Sequence, residues 1–323
     1  MMRDAIKNFH TQFEYEPKVA NGEKLKSYQK YVVLGMGGSH LAADLLRLWD
    51  PNLDVVVRSD YGLPPLSDSD WEKTLVIASS YSGNTEEPLD GFQQAQEQGL
   101  AVAAIAVGGE LLRLAKEAKV PYIQLPDTGI QPRSALGFSL KAFFKLLGEE
   151  TALSELTSLA EILNPELLEK EGHDLARILK DKVPVIYASA RNEAIAYNWK
   201  IKFNETGKIP AFYNVIPELN HNEMTGFDVK ESSRHLSEKF HFIFLKDDSD
   251  YERNQKRMHV LKKLYKDRSL PVAEITFVGR TLYEKLFRSL IIADWTALYL
   301  AENYGLESEQ VPMVEEFKSL VQK

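Results

Sequence analysis

Short apolar runs alternate along the chain with longer segments in which apolar residues recur at helical spacing. In the first half, five such runs lie at residues 31–34, 53–57, 74–78, 101–107 and 121–125. Helix-like segments follow several of them, as in HLAADLLRLW after the first run. Strands that alternate with helices predict a parallel sheet covered on both faces.

The second half of the chain repeats this order of elements. Residues 135–180 have no clear strand pattern and are predicted to be helical. Apolar runs at 183–187, 241–245 and 272–277 then predict a second set of strands, and helices are predicted at 281–304 and 312–322. We therefore expect two α/β domains, 1–152 and 153–323, which is a usual number for 323 residues.

Composition narrows the class of protein. The chain has 39 basic and 47 acidic residues, a net charge of −8, which argues against a nucleic-acid-binding protein. It has no cysteine, so disulfides, thiolate catalysis and cysteine-ligated metals are excluded. The first residues lack the apolar core of a signal peptide, and the longest apolar runs are too short to span a membrane. We expect a soluble cytoplasmic protein with no membrane partner.

A glycine-rich turn, Gly35 to His40 (GMGGSH), follows the first predicted strand. Glycine permits a tight turn and a close approach of ligand to backbone, and a following helix N-terminus attracts anions. The dinucleotide pattern G-x-G-x-x-G would need glycine where His40 stands, which argues against such a site. From this motif alone, the alternative that it is simply a tight turn that binds no ligand remains.

A second turn, SSYSGNTEE, follows the third predicted strand. It places three hydroxyls, those of Ser80, Ser82 and Thr85, at one strand-to-helix junction. Helix capping accounts for one or two of them but not for all. Hydroxyls and backbone N–H groups together hold a phosphate, and carboxyl ends of parallel strands are where open α/β sheets bind ligands. The two turns predict a site for a small phosphorylated molecule.

Together, the two turns resemble a sugar isomerase (SIS) domain. Three more segments narrow the resemblance to the bifunctional phosphoglucose/phosphomannose isomerases: QPRSALG (131–137), NETGK (204–208) and PELNHNEMTGF (217–227). It extends over residues 30–320. The family implies an α/β fold of two SIS-type, three-layer α/β/α sandwich domains with mainly parallel sheets. It also implies interconversion of glucose 6-phosphate, mannose 6-phosphate and fructose 6-phosphate through an enediolate, with no metal and no cofactor.

The resemblance also implies roles for individual residues. Ser39, Ser80, Ser82 and Thr85 would bind the phosphate, and Gly37 and Gly38 would shape the loop. Glu205 would move the proton between C1 and C2, and His221 would open the sugar ring. Arg133 would stabilise the enediolate, and Lys318 would lie near the ring oxygen. In the wider superfamily the ring-opening histidine comes from a neighbouring subunit, so we expect a homodimer with a shared active site.

These residue types suit the chemistry. A positioned carboxylate can transfer a carbon-bound proton, histidine titrates near neutrality, and arginine carries a permanent charge for an oxyanion. Glu218 and Asn222 are expected to orient His221, while His40 is expected to be structural. Glu218, His221 and Glu223 lack the helical H-E-x-x-H spacing of a metal site. Two alternatives stay open: a non-catalytic sugar-phosphate-binding SIS protein, and an isomerase of another phosphorylated sugar.

Overall fold

The structure, a computed structural model, describes residues 1–321. The described chain forms two compact units. The first comprises Asn8–Leu163, and the second combines residues 1–7, which include helix α1 (Met2–Lys7), with the chain from Asn164 onward. The boundary therefore falls later than the predicted one between 152 and 153.

The first unit is built on six strands and seven helices. The strands are β1 (Val19–Ala20), β2 (Lys30–Leu34), β3 (Asp54–Arg58), β4 (Thr74–Ser79), β5 (Val102–Ala106) and β6 (Tyr122–Gln124). The helices are α2 (Leu41–Asp44), α3 (Leu46–Trp49), α4 (Asp68–Trp71), α5 (Glu86–Glu97), α6 (Gly109–Glu117), α7 (Leu136–Leu147) and α8 (Glu150–Ile162).

These six strands form one sheet in the order β1-β6-β5-β4-β2-β3. All neighbours pair in parallel except β1, which runs antiparallel to β6. In the central strands, Val32 pairs with Val56 on one side and Val76 on the other. Every residue of β4 is buried, so both faces of the sheet are covered, as continuous apolar runs predict.

The second unit contains four strands and seven further helices besides α1. The strands are β7 (Val183–Ser189), β8 (Phe212–Ile216), β9 (Phe240–Lys246) and β10 (Val272–Thr276). The helices are α9 (Glu169–Leu179), α10 (Glu193–Glu205), α11 (Glu223–Gly226), α12 (Arg234–Ser237), α13 (Glu252–Asp267), α14 (Leu282–Asn303) and α15 (Pro312–Val321).

The strands of the second unit form a wholly parallel sheet in the order β10-β9-β7-β8. One face carries Tyr187, Phe242 and Phe244, which pack with Met258 and Tyr265 of α13. Ile186 and Ile243, which point to the opposite face, are also fully buried. The second sheet is thus covered on both faces too.

The predicted mixed α/β class with mainly parallel sheets is confirmed, and all eight predicted strands are present. Two strands were not predicted, β1 and β8. The helix predicted after residue 40 divides into α2 and α3 at Leu45, and the end predicted for α15, Gln322, lies outside the described residues. Within residues 1–321, no helix combines the length and apolar character that crossing a membrane requires.

Candidate active site

The first glycine-rich turn leaves β2 and forms one turn of 3-10 helix at Gly37–Ser39. Gly37 has a φ of +49°, in the left-handed region that side-chain-bearing residues disfavour. Ser39 and His40 are buried, whereas Gly37 is exposed. His40 Nδ1 lies 2.8 Å from Asp44 Oδ2 of α2, so this histidine contacts the helix that it precedes. The structural role expected for His40 fits this contact.

The second turn leaves β4 and leads into α5. Gly83 has a φ of +78°, and a Cβ there would lie 1.9 Å from the carbonyl oxygen of Gly108. Only glycine fits this position. The chain between Ser80 and Thr85 is therefore held in one conformation, with Thr85 as the N-cap residue of α5.

Ser39 joins the two turns. Its carbonyl oxygen accepts a hydrogen bond from Ser79 Oγ (2.9 Å), and its own Oγ accepts one from the backbone N–H of Tyr81 (2.8 Å). A serine hydroxyl that accepts in this way keeps its hydrogen available for another acceptor. The turns after β2 and β4 thus form one assembly, and the Ser39 hydroxyl can still donate.

Ser80 and Ser82 have different surroundings although both lie in the second turn. Ser80 is fully buried, and its Oγ accepts from the N–H groups of Gly83 (3.1 Å) and Thr85 (3.3 Å). With both lone pairs occupied, its hydroxyl donates to Thr85 Oγ1, 2.8 Å away, which frees the Thr85 hydroxyl to donate elsewhere. Ser82 is exposed, and its Oγ accepts from Asn84 N–H at 3.3 Å.

Arg133 belongs to the same compact unit as the two turns. It lies in a single 3-10 turn, Pro132–Ser134, and is 1% exposed. A Cβ on Gly38 would lie 2.8 Å from the backbone nitrogen of Arg133, so the glycine turn packs directly on the backbone of this segment. The structure therefore brings together Arg133 and the six residues predicted to form the phosphate site.

Gln12 holds the Arg133 segment, a role that was not predicted from the sequence. Its Nε2 donates to the carbonyl oxygen of Ser134 (2.7 Å), and its Oε1 accepts from the N–H of Gly137 (2.9 Å). Gln12 is buried and lies 122 residues from Ser134. No local motif marks it, because its partners are backbone groups that any residue carries.

Glu205 is the last residue of α10 and is half-buried. Lys202, one turn earlier, is fully buried, and its Nζ lies 2.6 Å from Asp294 Oδ1 of α14. Lys208 Nζ donates to the carbonyl oxygen of Glu205 at 2.7 Å. The end of α10 is thus fixed to α14 by a buried ion pair, so the backbone that carries Glu205 is well held.

His221 ends a short 3-10 turn, Glu218–His221, that follows β8, and its side chain is exposed. Glu218 and Asn222 were expected to orient it. Instead they bond to each other, with Asn222 Nδ2 donating to Glu218 Oε1 at 2.8 Å. An exposed imidazole is accessible to a ligand or to another molecule.

Glu223 anchors the His221 segment to the sheet. Its carboxylate accepts hydrogen bonds from the Tyr187 hydroxyl on β7 and from Asn214 Nδ2 on β8. Burial raises the pKa of Tyr187 far above its ordinary value, so the phenol stays a neutral donor. In the sequence, Glu223 stands out only as one of three residues whose spacing does not suit a metal site, whereas its contacts indicate a positioning role.

Lys318 lies on α15, and its Nζ contacts Glu315 Oε1 at 2.8 Å on an exposed surface. No residue of α15 is buried. The expected place near the sugar ring oxygen therefore stays a prediction. Over residues 1–321, no three histidine, aspartate or glutamate side chains are grouped as metal ligands.

Comparison with known proteins gives consistent matches. The family model described as bacterial phospho-glucose isomerase C-terminal SIS domain matches residues 168–321. A bifunctional phosphoglucose/phosphomannose isomerase of Caldicellulosiruptor bescii is 36% identical over 95% of this chain and 94% of its own length. A protein of the same name from Aquifex aeolicus is 33% identical, with 98% of this chain and 97% of its own length covered.

Among solved structures, the glucosamine-6-phosphate deaminase of Thermotoga maritima is similar in fold. It aligns with a TM-score of 0.67 at 16% identity and covers 96% of each chain. At that identity the likeness concerns the fold alone. With the match of residues 168–321 to a SIS-domain family model, this fold confirms the expected SIS-type architecture.

Proposed function

Because this chain belongs to the bifunctional phosphoglucose/phosphomannose isomerase family, we propose that it interconverts glucose 6-phosphate and mannose 6-phosphate with fructose 6-phosphate. The observation that carries the proposal is the single assembly of both turns through Ser39, with Arg133 packed beneath Gly38. The hydrogen-bond donors of this assembly suit a phosphate group. In a hexose 6-phosphate that group lies several bonds away from C1 and C2, the carbons that react.

The phosphate is held mainly by neutral donors. The hydroxyls of Ser39, Ser82 and Thr85 each keep a hydrogen to donate, and the N-terminus of the twelve-residue helix α5 adds a partial positive charge. Ser80 supports the site by holding the turn rather than by direct contact. Gly37 and Gly38 allow the backbone to adopt the required shape.

Isomerisation then proceeds by proton transfer. His221 moves a proton between the ring oxygen and the C1 hydroxyl, which opens the ring to an aldehyde. The Glu205 carboxylate removes the proton from C2, and the electron pair passes through C1 to the aldehyde oxygen, forming an enediolate. Arg133 stabilises the negative charge with its fixed guanidinium. The proton on the C2 oxygen then passes to the C1 oxygen, and Glu205 returns the abstracted proton to C1, which leaves a C2 carbonyl and gives fructose 6-phosphate. Lys318 assists at the ring oxygen.

Both aldoses reach the same intermediate, since glucose and mannose 6-phosphate differ only at C2. In the reverse direction, a proton added to one face of C2 gives glucose 6-phosphate, and a proton added to the other face gives mannose 6-phosphate. Such a reaction needs no redox cofactor, because the electrons move within the substrate, and we propose that it also proceeds without a metal, as the family resemblance implies.

We propose a homodimer in which His221 acts in the site of a neighbouring copy, which suits its exposed imidazole. A phosphorylated hexose carries charge that the apolar interior of a bilayer excludes. The enzyme must share a compartment with its substrate, and we propose that this is the cytoplasm.

The test is to incubate the purified protein with fructose 6-phosphate and a chelator and to follow the sugars by NMR. We expect both glucose 6-phosphate and mannose 6-phosphate. Glucose 6-phosphate alone would contradict the bifunctional activity. Binding without turnover would instead indicate a sugar-phosphate-binding protein or an enzyme for another phosphorylated sugar.

A further inference from the structure

The last helix, α15, presents an uncovered apolar face. Its large apolar residues are 45–81% exposed: Met313, Val314, Phe317, Leu320 and Val321. Their spacing of i, i+1, i+4, i+7 and i+8 places them on one side of the helix. An isolated ten-residue helix is marginal in water and gains stability by burying such a face. A complementary surface is therefore required.

The charges beside the apolar face of α15 indicate the charge that a complementary surface would carry. Glu315 and Glu316 lie on the helix between apolar positions. A matching surface would combine an apolar floor with a positively charged rim.

A groove of this description lies in the second unit, with a volume of about 560 Å³. Its floor is apolar and is formed by Met224 of α11 and by Val260, Leu261 and Leu264 of α13. Val260 is 45% exposed, so α15 is not seated over this floor within the chain.

The rim of the groove is basic. Arg253, Lys256 and Arg257 line it along α13. This helix carries six lysine and arginine residues against two acidic ones, although the whole chain has a net charge of −8. The basic rim of the groove thus adjoins its apolar floor. This combination complements the acidic residues and the apolar face of α15.

We propose that α15 of one subunit docks into this groove on a second copy of the chain. Each copy carries both helix and groove, so the contact can be made twice about a two-fold axis and closes as a dimer. The inference rests on the homodimer of the proposed function and names the surfaces that form it.

The docking also brings two predicted site residues towards each other. Asn220, next to His221, lines the groove, and Arg257 Nη1 lies 3.5 Å from its Oδ1. A helix seated there places the partner subunit's Lys318 beside the segment that carries His221. The dimer contact and the completion of the site are then one event.

Disulfide trapping tests the contact, because the chain has no cysteine of its own. Three single variants, V314C, F317C and L320C, are each mixed with V260C and oxidised gently. We expect a disulfide between two different chains, seen as a dimer of one tagged and one untagged subunit. The matched control is I178C in place of V260C, since Ile178 on α9 is 46% exposed. We expect at least a tenfold lower yield with the control.

Equal yields with V260C and I178C, or no disulfide from any of the three pairs, would overturn the proposal. So would a disulfide that forms within one chain of the F317C/V260C double variant but never between chains in the mixture.

Charge reversal tests the rim. The E315K/E316K variant should raise the dimer dissociation constant at least tenfold, measured by light scattering over a concentration series. Mixing it with K256E/R257E should restore association between the two variants. Unchanged dissociation constants would contradict the proposal. Neither readout requires turnover, so an inactive protein leaves the result interpretable, and an active isomerase without these contacts overturns only the docking.

Discussion

Gly38 lies directly against Arg133, since a Cβ on the glycine would be 2.8 Å from the arginine backbone nitrogen. The turn that follows the first long strand and the segment that carries the buried guanidinium therefore meet backbone to backbone. In the proposed function, phosphate binding and oxyanion stabilisation would then both depend on this one packing contact.

Replacing Gly38 with alanine should separate these two segments. We expect kcat/KM for fructose 6-phosphate to fall by roughly 10²-fold, the scale of losing one oxyanion donor. The control is Gly22→Ala, because the nearest atom to a Cβ there lies at an ordinary 3.5 Å. Coupled-enzyme kinetics of the two variants check this, and equal activities would contradict it.

Replacing Ser80 and replacing Ser82 with alanine should have different effects on stability and on KM. Ser80→Ala leaves the part-buried Thr85 N–H without its side-chain acceptor and removes one of the two acceptors of the Gly83 N–H, which also donates to the Ser80 carbonyl oxygen. The free energy of unfolding should fall by about 1–3 kcal/mol. Ser82→Ala removes an exposed hydroxyl and should change it by less than about 0.5 kcal/mol while raising KM. Urea titrations and KM measurements distinguish them. A large stability loss in Ser82→Ala would argue against these roles.

Glu205→Gln should stop proton transfer and retain binding. We expect kcat to fall by about 10²–10⁴-fold, the usual contribution of a general base, with little change in affinity for fructose 6-phosphate. Glu193→Gln, at the exposed start of the same helix, serves as the control. Turnover and calorimetric affinity are measured on both. Full activity in Glu205→Gln would exclude it as the base.

The buried pair of Lys202 and Asp294 should be costly to break. Lys202→Met leaves the Asp294 carboxylate buried without its cation, and we expect a loss of about 3–5 kcal/mol in unfolding free energy. The double variant K202M/D294L removes both charges and should recover part of that loss. Denaturant unfolding checks both, and a double variant no more stable than K202M would contradict the account.

His241 should make stability fall in mild acid. Burial, with a smaller effect of the Lys182 charge, lowers the pKa of His241 to about 4. Between pH 4 and 6.5 the unfolded chain binds a proton that the folded chain does not, so the stabilisation is complete above pH 6.5 and is lost as the pH falls. We expect the urea midpoint to decline over this range less steeply in His241→Gln. Identical declines would show that His241 does not contribute.

Continuous apolar runs made the central strands predictable. All six residues of β4 are buried, and a short apolar run bounded by turn residues is typical of such a fully buried strand. Strand β8 was missed because it is an edge strand whose residues are largely half-exposed, so its sequence, FYNVI, has no clear apolar period. The unit boundary was placed too early because α8 belongs to the first unit, which no local pattern records.

In the candidate site too, residues with local contacts could be predicted from the sequence, and residues with distant contacts could not. Hydroxyl residues that act within one turn, such as Ser80 and Thr85, are visible as a motif because their contacts are local. Gln12 and Glu223 act through distant backbone and side-chain partners, and such contacts follow from tertiary packing. The helix at the end of the chain was predicted from the sequence, but the exposure of its large apolar side chains was not.

The assignment of residues 1–7 to the second unit has a consequence for dissecting the protein. The chain passes between the units twice, at residues 7–8 and 163–164. Met2 and Ile6 are buried, and the Arg3 guanidinium lies over the rings of Trp295 and Tyr299. A gene fragment starting at residue 164 would therefore encode an incomplete core. The missing turn of helix would have to be supplied as a separate peptide or grafted on by circular permutation.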